Sequence, residues 1–268
     1  MNNRPDTSLG PPLIGRTHTG TMFAESFYRI RTILLSAGDP VPRSILVASA
    51  LQCEGRSTVA ANLAIACAAP GRSVLLVDSD LRKPVQHSIF ELENARGLAQ
   101  VLCGEGDGEL LVRQVRPCLD LLSSGSLPAD PCGLIGSDVM ARLLAFVREK
   151  YDLVILDSPP VSQFADAVAL AQRVDAIVFV VRSSSTHRDD ADRALKELSK
   201  VNPRIVGAVL NAVPGHSTTG MTPAGKIHSL PVAARGSSAA WSVDIVQADV
   251  QAAPTEISGV EHASPAPL

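Results

Sequence analysis

Aromatic residues are scarce in this 268-residue chain, 3% of the total. Its core therefore has to be built from Ala, Val, Leu and Ile, the residues that fill parallel sheets covered by helices. An excess of one charge is also missing: 24 Lys and Arg stand against 27 Asp and Glu, a net charge of −3, with no basic block. Affinity for nucleic acid is mostly cation-to-phosphate contact, so DNA and RNA are set aside as partners. The five cysteines, Cys53, Cys67, Cys103, Cys118 and Cys132, are odd in number and have no C-x-x-C spacing. Neither a disulfide framework nor a zinc site follows, and reduced thiols in a cytosol are expected. Long apolar runs are absent too. The longest, VAANLAIACAA from Val59, is too short to span a bilayer and carries Asn62, and the first twenty residues hold no apolar signal core.

Three composition zones divide what remains: a Pro- and Gly-containing leader over 1–20, a patterned stretch over 21–214 and a tail over 215–268. In the tail 31 of 54 residues are Gly, Pro, Ser, Thr or Ala. Such a segment buries too little apolar surface to offset the entropy of ordering, so leader and tail are both expected to be disordered. One tail patch, WSVDIVQADV, places Trp241, Ile245 and Val246 at helical spacing.

The middle zone alternates short apolar runs with helix-length segments. SILVAS, SVLLVD, LDLLSS, DLVILD, AIVFVV and RIVGAVLN read as buried strands. SDVMARLLAFVREK, opened by Ser137 as a cap, and DDADRALKELSK read as amphipathic helices. The fold class is therefore α/β, a mainly parallel sheet with helices on both faces and ligands at the C-terminal strand ends.

Chemistry gathers at three of those ends. The first strand runs into Ala50–Thr58, ALQCEGRST, and then a helix, close to the phosphate-loop pattern G-x-x-x-x-G-K-(S/T). In that frame Ala50 replaces the first glycine, Cys53 and Glu54 lie within the loop, and Gly55 is the second glycine. Arg56 replaces the lysine, and Ser57 and Thr58 open the helix. Two more strands end in Asp78 with Asp80, and in Asp157. Three strand-tip carboxylates beside such a loop suit a hydrated Mg²⁺ bound with a nucleoside triphosphate, because Mg²⁺ keeps its waters and takes few protein ligands. Cys53 reads as a small residue in a tight loop, and His87 has no second ligand at metal spacing.

With those residues in place, Phe23 to Pro214 resembles the bacterial tyrosine kinases, or BY-kinases, of capsule and exopolysaccharide assembly. VDSDLRKPVQHSIF is similar to that family's second Walker motif, LDSPPV to its Walker B motif, and GSLPADPCGLI to its spaced prolines. FADAVALAQRVDAIVFVVRSSST resembles the stretch that follows Walker B, and VLNAV its adenine-side strand end. The resemblance implies a P-loop NTPase domain in which Gly55, Ser57 and Thr58 hold phosphates and Mg²⁺. Asp78 and Asp80 would share metal contact and deprotonation of a tyrosine, Asp157 would hold a metal-bound water, and Asn211 would contact adenine. It further implies a cytoplasmic chain held at the inner face of the membrane by a polysaccharide co-polymerase that activates it.

The chain departs from the family pattern at three places. Arg56 keeps the positive charge but offers a wide planar fork where a compact ammonium is usual. The terminal tyrosine cluster is missing, since Tyr28 and Tyr151 are the only tyrosines. The helix motif E-x-x-R-x-x-R, associated with ring-shaped homo-oligomers, becomes Glu25, Tyr28 and Arg31 within ESFYRIR, which also reads as a surface helix burying Phe27 and Ile30. Two alternatives stay open beside the kinase: a catalytically weak regulatory subunit of the assembly complex, and a partition-type positioning ATPase. In the latter an early loop lysine would fall at Leu51.

Overall fold

The computed structural model describes residues 13–15, 22–36, 40–105, 111–183, 185–212, 229–232 and 241–248. In chain order the elements begin α1 (Met22–Ser36), β1 (Ser44–Ser49), α2 (Arg56–Ala68), β2 (Val74–Asp78), α3 (Gln86–Ile89) and α4 (Leu98–Leu102). They continue with β3 (Val112–Arg116), β4 (Leu119–Leu122), α5 (Pro131–Gly136), α6 (Asp138–Lys150), β5 (Leu153–Asp157) and α7 (Asp166–Ala171). The chain then forms β6 (Ala176–Arg182), α8 (Arg188–Ser199), β7 (Ile205–Asn211), β8 (Ser229–Val232) and β9 (Trp241–Ala248).

The strand order is β3-β4-β2-β5-β1-β6-β7-β9-β8, and every pair from β4 to β9 is parallel. Only the outer pairs β3–β4 and β8–β9 are antiparallel. Successive β1 residues serve opposite faces, as a pleated strand requires. Ile45 and Val47 join the core under α1 and α2, while Leu46 and Ala48 join the core under α4 to α8. A strand covered on both faces has no polar alternation, which is why all of β1, β2 and β5 is buried. The expected α/β sheet is thus present, and Ser137 caps α6 by accepting the Met140 N–H.

β3 lies where the sequence shows no strand pattern. It is an edge strand of intermediate and exposed residues, and VRQVR carries too little apolar signal to be read as a strand. The leader expected to be disordered is anchored at Leu13 and Ile14, which are buried. The Ile14 N–H donates to Asn62 Oδ1 at 2.8 Å, and Asn62 Nδ2 donates to the Thr58 carbonyl at 2.9 Å. The polar interruption in the apolar run is therefore a docking point, since a buried amide is tolerated when bonded at both ends. In the tail, Trp241–Ala248 is a strand rather than a helix, with Ala208 to Asn211 registered against Ile245 to Ala248. A helix would leave the outer backbone groups of β7 unpaired, and β9 pairs them. Among the described residues no helix is long and apolar enough to cross a membrane.

Candidate active site

The chain direction outward from β1 splits at β5 and β6, its two neighbours, and the 50–58 loop leaves β1 at this switch point. Gly55 closes the loop with φ +85°, in the left-handed region. A Cβ here would lie 2.0 Å from Asn211 Nδ2, so the position admits no side chain without movement. Asn211 Nδ2 donates to the Glu54 carbonyl at 2.9 Å, and an Arg182 guanidinium nitrogen donates to the Cys53 carbonyl at 2.8 Å. Glu54, itself buried, accepts the Leu51 N–H through Oε2 at 2.8 Å and the Thr186 hydroxyl through Oε1. The ends of β6 and β7 thus hold the loop in shape from behind.

Arg56, the first residue of α2, turns beneath the loop and is 8% exposed. Its Nε donates to Asp157 Oδ1 at 3.1 Å, one terminal nitrogen to Asp80 Oδ2 at 3.0 Å and the other to Ser49 Oγ at 3.1 Å. Asp80 uses Oδ1 to accept the Arg82 and Lys83 N–H groups at 3.2 and 2.9 Å. Asp78 Oδ2 accepts the Val85 and Gln86 N–H groups at 3.1 and 2.9 Å, while its Oδ1 is buried with no hydrogen-bond partner. Burial first, then the neighbouring Asp157 charge, holds the Asp78 carboxyl well above the usual carboxylate range. Burial also raises Asp157, against the pull of Arg56 and of hydrogen bonds from Ser57 and Gln86.

Above these groups opens a cleft of about 290 Å³, lined by residues 52–58 with Asp80, Arg82, Lys83, Val85, Pro160 and Phe164. The structure therefore brings Cys53, Glu54, Gly55, Arg56, Ser57, Thr58 and Asp80 to one cleft, with Asp78 and Asp157 fully buried beneath it. Ala50 and Asn211 do not line it. Ala50 is packed under the loop, and the Asn211 amide, assigned to adenine by resemblance, is bonded to the loop backbone. Arg56, which stands at the lysine position of the phosphate loop, turns its fork onto Asp80 and Asp157.

Gln86 went unremarked in the sequence. Its Nε2 donates to the Ser57 carbonyl at 2.9 Å and to Asp157 Oδ2 at 2.8 Å, tying the loop to the β5 tip, while its Oε1 is buried without a partner. Arg82 was also missed. It chelates Asp166 at 2.9 and 3.4 Å and lies 4.2 Å from the centroid of the Phe164 ring, which fixes one wall of the cleft. Lys83 Nζ donates to Gln52 Oε1 at 3.1 Å at the mouth. All three lie within the segment VDSDLRKPVQHSIF, but their partners stand as far as 84 residues away in sequence.

Residues 40–219 match the ParA family, described as NUBPL iron-transfer P-loop NTPase. The tyrosine-protein kinase YwqD of Bacillus subtilis (strain 168) is 37% identical over 201 residues, which cover 74% of this chain and 85% of YwqD. The chain belongs to the bacterial tyrosine kinases. Its kinase-family fold superposes on the chimerical protein CapA2B2 with a TM-score of 0.73 at 32% identity, covering 78% of this chain and 97% of that one. The tyrosine-protein kinase etk of Escherichia coli (strain K12) is 27% identical over 78% of this chain, which spans 29% of etk. The putative tyrosine-protein kinase in the cps region of Klebsiella pneumoniae is 29% identical over 213 residues, which cover 79% of this chain and 30% of that one.

Proposed function

We propose that this kinase-family chain binds Mg-ATP in the 290 Å³ cleft and transfers the γ-phosphoryl group to a tyrosine hydroxyl. It would work at the inner face of the membrane beside a polysaccharide co-polymerase that activates it. One observation carries the reading: Ser57, Asp80 and Asp157 converge at the β1 tip, under a loop that leads into a 13-residue helix. The loop N–H groups and the α2 N-terminus would receive the phosphates. The unpartnered Asp78 Oδ1 and Gln86 Oε1 show that acceptor capacity beneath the cleft exceeds what the protein itself fills, which fits a hydrated Mg²⁺. Ser57, Asp78 and Asp157 would hold that ion and its waters, and when bound it neutralises charge on the phosphates.

The protein's own groups would supply the remaining functions. The loop orients the terminal phosphate for in-line attack, and the Arg82–Asp166–Phe164 wall limits access of water from one side. The tyrosine oxygen bonds to phosphorus as the bond to the departing ADP oxygen breaks. Asp80 or Asp78 takes the phenolic proton.

A second reading, a weakly catalytic regulatory subunit, is favoured by the engagement of Arg56 with Asp80 and Asp157, because the carboxylate oxygens that would receive a tyrosine proton or face a metal are taken up by the guanidinium. Calorimetric ATP binding and phosphoryl transfer, measured on the purified chain alone and with the cytosolic segment of its co-polymerase, separate the two. Binding with transfer supports the kinase, binding without transfer the regulatory subunit, and no binding rejects both nucleotide readings.

A further inference from the structure

We infer that Arg56 is a built-in counter-cation of the metal site, which keeps divalent ions out of the nucleotide-free protein. The inference rests on the nucleotide-site reading above and concerns the side chain in which this chain departs from the family pattern. Each edge of the guanidinium is occupied: Asp157 at 3.1 Å, Asp80 at 3.0 Å and Ser49 at 3.1 Å, all in a nearly buried setting. The guanidinium brings one positive charge into the space between the two carboxylates. Asp80 and Asp157 accordingly have their charge met within the protein. Among the described residues no three His, Cys, Asp or Glu side chains are arranged to hold an ion directly, although three carboxylates come together here. The guanidinium lies between two of them.

Geometry makes this an arginine property. A lysine at 56 would present one compact ammonium on an unforked stem, unable to span Ser49, Asp80 and Asp157 in one plane as the fork does. The unpartnered Asp78 Oδ1 and Gln86 Oε1 lie in the same buried layer and leave acceptors for a cation once the fork withdraws. Polyphosphate is the ligand that offers Arg56 alternative anionic partners within the cleft it lines. Metal and nucleotide would then enter as one event, with the guanidinium moving from carboxylate to phosphate.

The test is a Mn²⁺ titration of the full chain read by the EPR signal of the free aqueous ion. Wild type is compared with Arg56→Gln and Arg56→Lys, each with and without ADP. Without ADP, wild type should leave the free-ion signal unchanged, and Arg56→Gln should take up one Mn²⁺ with affinity tighter by about tenfold or more, the range of an ordinary coupling between sites. Arg56→Lys should fall between them. Equal Mn²⁺ affinity in nucleotide-free wild type and Arg56→Gln overturns the inference. If Arg56→Gln fails to fold, Arg56→Lys decides: affinity no tighter than wild type overturns it. ADP binding, followed separately by calorimetry, distinguishes the two failures. Absence of ADP binding in every form removes the nucleotide reading, while the Mn²⁺ comparison still upholds or overturns the counter-cation.

Discussion

Asp78 and Asp157 are register partners on the adjacent parallel strands β2 and β5, two fully buried carboxylates set side by side at the strand ends. Such a pair resists double ionisation, and that resistance measures how far the site departs from a stable core.

Asp78→Asn is expected to stabilise the protein while removing a site function. The amide oxygen keeps the two N–H bonds of Val85 and Gln86, and the amide nitrogen replaces the unpartnered Oδ1. Because the folded-state pKa is raised, the folded protein holds a proton that the unfolded chain releases, so wild-type stability is fullest below about pH 4 and falls as pH rises through the folded value. The gain should therefore be near zero at pH 4 and reach about 1 kcal/mol or more at pH 8, some 2–4 °C in Tm. Thermal melts across that range check it, and a gain independent of pH would show that Asp78 is ionised throughout.

Arg56→Lys is expected to raise phosphoryl transfer by about one to two orders of magnitude, with little change in ATP affinity. Affinity in such a loop comes mostly from backbone N–H groups and the helix N-terminus, which survive the substitution. A misplaced cation forfeits part of the roughly 3 kcal/mol that one transition-state donor supplies. Steady-state kinetics with calorimetric affinities decide it, and unchanged turnover in a briskly active wild type would show arginine to be competent.

Gly55→Ala should weaken nucleotide binding by at least about tenfold and destabilise the fold by about 1–3 kcal/mol, since both φ +85° and the 2.0 Å approach to Asn211 Nδ2 oppose a Cβ. Asn211→Ala in the same chain should return part of the loss by removing the collision while leaving the backbone strain. Urea melts of the two single variants and the double variant measure the coupling.

Self-phosphorylation, where present, should fall on Tyr28. Tyr151 is 7% exposed and its hydroxyl donates to Asp120 at 2.7 Å, whereas Tyr28 is half-buried on α1, with the Arg31 guanidinium 5.2 Å from its ring centroid. Phosphopeptide mapping after incubation with Mg-ATP should find no modified Tyr151. Efficient phosphate incorporation there in the folded protein would contradict this packing.

The strands that build the site were legible because a parallel strand covered on both faces announces itself as a continuous apolar run, and its acidic end marks the tip. Asp78, Asp80 and Asp157 could be picked out that way and the 50–58 loop by its glycine before a helix, while the kinase family was legible only as a resemblance of several motifs in order. Gln86 and the Arg82–Asp166 wall could not, because no local pattern distinguishes a bridging glutamine from a surface one. The same limit applies to β3, whose VRQVR has the polarity of a loop, and to Leu13 and Ile14, whose short apolar step gains meaning only beside Asn62.

By itself the sequence determined the α/β class, the order along the chain of six strands, β1, β2, β4, β5, β6 and β7, and the chemical character of their tips, since these follow from periodicity over a few neighbouring residues. Only the tertiary structure decided where the Arg56 fork points. Its three partners lie 7, 24 and 101 residues away, and they meet because β1, β2 and β5 are ordered so that Ser49, Asp80 and Asp157 reach one buried layer. A side chain with several rotatable bonds takes its direction from the charges around it, and those charges are assembled by the sheet.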